Sequence, residues 1–178
     1  MRPLRRWRAA VAWRRRLGQP LERPRGALNL GGGARIMLMF SLDDSAATEA
    51  ARAFAKTHRE RGADVRELTY ATADLPRDQR SPERWGPAAL SFARLPKLSA
   101  EEPWRGRDYD LVIHCSLRPF DPFDYLAAGL RAHRRVAAYD TALDSYDLVV
   151  TPPRGGGVAE FLSETERVLA LLNPDYAD

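Results

Sequence analysis

The chain has 178 residues, 44% hydrophobic and 29% charged, with one cysteine and a net charge of +4 at neutral pH. This composition fits one globular domain with a real core and excludes wholesale disorder, and the lone Cys115 excludes an intrachain disulfide framework or a Cys-rich zinc site. The charge is uneven: residues 1–26 hold nine arginines against one glutamate, a net of +8, so residues 27–178 must carry −4.

In chain order, residues 1–18 predict a basic N-terminal helix, with Pro3 near its start and Gly18 and Pro20 as its stop. On a helical wheel Leu4, Trp7, Ala10, Val11, Trp13 and Leu17 share one half. Arg2, Arg5, Arg8, Arg15 and Arg16 share the other, while Arg6 and Arg14 intrude on the apolar side. Residues 19–33, with Pro20, Pro24, Gly26 and the run Gly31–Gly33, predict a linker, and residues 34–173 a single domain.

Within that domain "ARIMLMF" (34–40) is an apolar run of strand length, as expected for a strand buried on both faces. Asp43, Asp44 or Ser45 then caps a helix running to about Arg61, with Gly62 as its stop, and "ADVRELTY" (63–70) alternates as a second strand. Strand, helix and strand here make a βαβ crossover. Residues 71–88 are polar and proline-marked. "ALSFARL" (89–95) predicts a short strand, and "SAEEPWRGR" a loop or a single helical turn.

"YDLVIHCS" (109–116) is a third clear strand. "DPFDYLAAGLRAHRR" follows as a helix capped by Asp121, with Phe123, Leu126, Ala127 and Leu130 on one face. "VAAYD" and "YDLVVT" predict two short strands, and "VAEFLSETERVLALLN" a final helix turning Phe161, Leu162, Val168, Leu169 and Leu172 to the core. Strands and helices in alternation predict a three-layer α/β fold around a mostly parallel sheet, Rossmann-like or flavodoxin-like. No apolar run has the length of a membrane span.

The order and wording of "RIMLMFSLDD", "RGADVRELTY", "YDLVIHCSLRPFDPFDYLAAGLRAHRRVAAYD" and "YDLVVT" behind a basic helix resembles an uncharacterised domain-of-unknown-function family common in Bacteroidota. The resemblance implies the α/β fold and a bacterial cytoplasmic setting. It transfers no active-site residue.

In open α/β sheets ligands bind beyond the carboxyl ends of the strands, which singles out Ser41, Asp43, Asp44, Ser116, Arg154, Gly155, Gly156 and Gly157 as candidates for holding a phosphorylated small molecule. Each has a simpler reading. Ser41, Asp43 and Asp44 are the residue types that cap a helix, and the Gly155–Gly157 loop lacks both the Lys-Ser/Thr ending of a P-loop and a dinucleotide fingerprint. His114 and Cys115 point to opposite faces of their strand and so cannot share a proton. His58 and His133, expected in helices, have no partner at metal spacing, so neither a metal nor a cofactor is expected.

No catalytic signature is present. The charge split therefore points to an anionic partner for the N-terminal helix: RNA or a ribonucleoprotein such as the ribosome, with Arg2, Arg5, Arg6, Arg8, Arg14, Arg15 and Arg16 on phosphates. Docking on the acidic body and an anionic membrane surface suit the same pattern. A mitochondrial transit peptide fits less well, because no Ser or Thr precedes Ser41.

Overall fold

Every residue from Ile36 to Phe40 is fully buried, which is what an apolar run without alternation requires of a central strand covered on both faces. This strand, β1 (Arg35–Ser41), is the middle of the computed structural model, which describes residues 32–172 apart from 75, 77–80, 93 and 142–144. The helix expected over 1–18, nearly all of the linker over 19–33 and the seven candidate RNA-binding arginines lie outside the described residues.

After β1 the chain forms α1 (Ser45–Glu60), β2 (Asp64–Tyr70), β3 (Arg84–Trp85), α2 (Leu98–Arg105), β4 (Asp108–His114), α3 (Asp121–Gly129), β5 (Arg131–Ala137), β6 (Leu148–Val149) and α4 (Val158–Leu172). The six strands form one sheet in the order β3-β2-β1-β4-β5-β6, and every neighbouring pair is parallel. This is the doubly wound order of Rossmann folds.

Alternate residues of β1 feed two cores. Ile36, Leu38 and Phe40 pack with Ala51 and Phe54 of α1 and Phe161 and Leu162 of α4. Met37 and Met39 face the other layer, with Trp104 of α2, Phe123 and Leu126 of α3, and Trp85. Sheet and two helical layers make the three-layer sandwich that the alternation of elements predicts.

α1 begins where Asp44 Oδ1 accepts the Ala47 N–H at 2.9 Å, and ends before Gly62, whose φ of +89° only glycine adopts without strain. Its apolar stripe, Ala47, Ala51, Phe54, Ala55 and His58, recurs every three or four residues and is buried.

Five expectations need correction. The segment 131–135 is strand, not the continuation of a helix: α3 stops at Gly129, and β5 pairs with β4 from Asp108↔Arg131 to Ile113↔Val136, so His133 is a strand residue. Residues 89–95 make no strand. A 3-10 turn at Pro87–Ala89 and an isolated bridge between Leu90 and Pro96 stand there, while the edge strand β3 lies inside the polar stretch before them. The segment expected as a loop or one turn is the two-turn helix α2, and the α3 cap position is Phe120 rather than Asp121. Finally Leu172, assigned to the core, is 59% exposed at the end of α4.

Candidate functional site

The crossover after β1 moves one way along the sheet and the crossover after β4 the other, so the chain diverges between their carboxyl ends. In doubly wound sheets that divergence opens the crevice where ligands sit. The loop after β1 carries Ser41, Asp43 and Asp44, the loop after β4 carries Ser116, and the Cys115 N–H to Met39 carbonyl bond at 2.8 Å ties the two strand ends together.

The candidate side chains here serve the loops themselves. Asp43 Oδ2 accepts the Thr72 N–H at 2.9 Å, bridging the β1 loop to the end of β2, and Ser41 Oγ accepts the Asp43 N–H at 3.2 Å. Asp44 caps α1. Ser116 Oγ accepts the Arg118 N–H at 3.1 Å, closing a tight turn before α3.

Arg154 and the three glycines follow β6, at the sheet edge, with β4 and β5 between them and β1. Among the described residues no hydrogen bond or ion pair joins them to Ser41, Asp43, Asp44 or Ser116. Gly155 turns the chain at φ +80°, and the Gly157 N–H, the donor that a phosphate would use, is given to Glu160 Oε2 at 2.7 Å. This is the carboxylate half of a capping box. The N–H groups of Glu160 itself and of Gly157 hold its carboxyl below the usual carboxylate range, so an anion already occupies this helix start.

Beside the crevice, in the layer of α2 and α3, is a constellation that residue spacing does not disclose. His114 at the end of β4 and Asp124 in the first turn of α3 are 1% and 3% exposed. Tyr139, just after β5, and Tyr146, just before β6, both donate to Asp124 Oδ1, at 2.8 and 2.6 Å. His114 Nδ1 lies 3.3 Å from the same carboxylate oxygen and 3.0 Å from Tyr146 Oη, and it also contacts Tyr139 Oη. Each phenol has one proton to give and both go to Asp124, so Nδ1 fits as the protonated nitrogen, donating into the cluster.

Phe123 of α3 stands edge-on to the imidazole, with ring centroids 5.3 Å apart. Burial first, and the Asp124 charge after it, push the Tyr139 phenol well above its ordinary value. Burial likewise raises Tyr146, with Tyr139 and Asp124 adding to it. Both phenols therefore stay protonated donors at any physiological pH. As built, the cluster satisfies a buried imidazole and carboxylate and ties four separated segments into one unit. Cys115, on the opposite face, is fully buried, and burial raises its thiol, so it is no nucleophile as it stands.

Among the described residues no three His, Cys, Asp or Glu side chains gather as metal ligands, and no helix is long and apolar enough to cross a membrane. No protein-family model, curated protein or solved structure matches the chain.

Proposed function

We propose that the protein is a cytoplasmic RNA-binding protein, ribosome-associated and non-catalytic, that holds RNA through its arginine-rich N-terminal segment and uses the α/β body as a folded carrier. The observation that carries this reading is the charge split, +8 over residues 1–26 against −4 over the rest. An acidic body repels the phosphate backbone while the segment attracts it, so contact is confined to the segment. Supporting this, the N–H groups of Ala47, Thr72 and Arg118 at the switch point and of Gly157 at the glycine loop bond to the protein's own side chains.

The test is binding of labelled ribosomal RNA to the full-length protein and to a variant with Arg2, Arg5, Arg6, Arg8, Arg14, Arg15 and Arg16 changed to Gln. If roughly four to seven phosphates are neutralised, log K against log salt has a slope of about −3 to −5, at ~0.7 per single-strand phosphate. The variant is expected to lose both the affinity and the slope. Salt-independent binding, or a variant that binds as well as the parent, overturns the reading. Retention on anionic vesicles without RNA binding would replace it with membrane attachment.

A further inference from the structure

The last turn of α4 outruns the body. Phe161, Thr165 and Leu169 make its buried stripe, and Leu169 packs in one cluster with Ala34 and Ala63, which stand just before β1 and β2. The next position on that stripe is Leu172, yet it is 59% exposed, and Leu171 beside it is 71% exposed. The reason is where the neighbours stop. His58 and Arg61, at the end of α1, meet Glu166, and residues 167–172 carry α4 about 9 Å past that contact at 1.5 Å per residue.

The chain preceding the described residues arrives at this same end. Gly33 donates its N–H to the Gly62 carbonyl at 2.9 Å, so the backbone coming from the N-terminal segment passes the end of α1, the level at which α4 leaves the body. Residues 18–31 separate Leu17 from Gly32, a length that spans up to roughly 50 Å when extended, so the helix predicted over residues 1–18 has the reach to fold back on α4. Such a contact need not be large, because the connection makes it intramolecular.

The charges agree. The carbonyl end of a helix is partially negative, and Asp175 and Asp178 follow α4 with no Lys, Arg or His after Arg167. Arg61, the cation at the end of α1, is already paired with Glu166. An apolar surface bordered by negative charge matches a helix face made of Leu4, Trp7 and Val11 and interrupted by Arg6 and Arg14.

We propose that Leu171 and Leu172 are the docking surface for the apolar face of the N-terminal segment, with Leu4, Trp7 and Val11 seated on them. The docking does not require RNA. It turns Arg2, Arg5, Arg8, Arg15 and Arg16 outward, so that the body presents the basic face in one orientation.

The test uses the full-length protein without RNA, so its failure and a failure of RNA binding are separate results. Of the four tryptophans, Trp85 and Trp104 are 2% and 1% exposed, which makes their indole N–H signals internal standards of folding and rigidity. The Trp7 indole, identified with Trp7→Phe, is expected to relax like that core pair, with an order parameter near the rigid value of about 0.85. In Leu171→Ser/Leu172→Ser it is expected to fall below about 0.6 while the Trp85 and Trp104 signals stay in place. The proposal is overturned if Trp7 is already mobile in the parent, or if it is ordered but unmoved by the double variant, which would seat the segment elsewhere. Order that is lost on dilution would also overturn it, making a second copy the occupant. Should the double variant disturb the core signals, Trp7→Ser takes its place: it is expected to shift the Leu171 and Leu172 methyl signals, and unchanged methyl signals overturn the proposal.

Discussion

Asp124 takes two phenol protons on one carboxylate oxygen, at 2.8 and 2.6 Å, while buried to 3% exposure. A carboxylate so placed is stable because the first turn of α3 and three donors surround it. Asp124→Ala strands both phenols and the imidazole, and a stranded buried group costs about 1–3 kcal/mol. The variant is therefore expected to lose about 2–5 kcal/mol in urea denaturation, and Asp124→Asn, which keeps an acceptor oxygen, less. Equal losses in the two variants would mean that the carboxylate, not its acceptor geometry, carries the cluster. The residue types were plain in the sequence and their meeting was not: Tyr146 is 32 positions from His114, and only the sheet brings them together.

α1 and α4 lie side by side in the same layer, and their contact combines the apolar stripe of Phe54, Phe161 and Leu162 with a polar clamp. His58 is 1% exposed with Nε2 at 3.2 Å from Glu166 Oε1, and Arg61 Nη1 reaches the same oxygen at 3.2 Å. The hydrogen bond from His58 chiefly, with the His58 and Arg61 charges, holds the Glu166 carboxyl below its ordinary value despite partial burial. A carboxyl whose folded pKa is depressed adds stability above its unfolded pKa and loses it as pH falls through the folded one. Wild type is therefore expected to exceed Glu166→Gln in urea stability at neutral pH, with the margin closing through the acid range. A margin unchanged with pH would show that the clamp does not depend on the carboxylate's charge. Both helices were legible from their stripes and stops, but the pairing of His58 with Glu166, 108 positions apart, was not.

At the scale of the molecule, phenols are buried in the α2 and α3 layer. Burial pushes Tyr109 up to about 12, against the lowering effect of nearby arginines, and raises Tyr139 and Tyr146 as well. For groups raised on folding the sign runs opposite to Glu166: their stability is complete below the ordinary tyrosine value of about 10 and is lost as pH rises beyond it. An alkaline titration is expected to show these tyrosinates appearing together with loss of far-ultraviolet circular dichroism, in one cooperative step. Ionisation of all the tyrosines before unfolding would contradict the burial.

The sequence by itself determined the fold class, the centre of the sheet and the helices that cap it. A strand covered on both faces must be apolar throughout, and a helix covered on one face must repeat every three to four residues, so β1, β4, α1 and α4 declare themselves locally. Only the tertiary structure decided β5, whose run Arg131–Arg135 reads as helix until Asp108, Asp110 and Asp147 stand beside its charges. It alone placed the two-residue β3 at the edge, and it alone assembled the His114 cluster. Local pattern records which faces meet apolar surface. A partner brought from a distant segment by the sheet leaves no periodic trace.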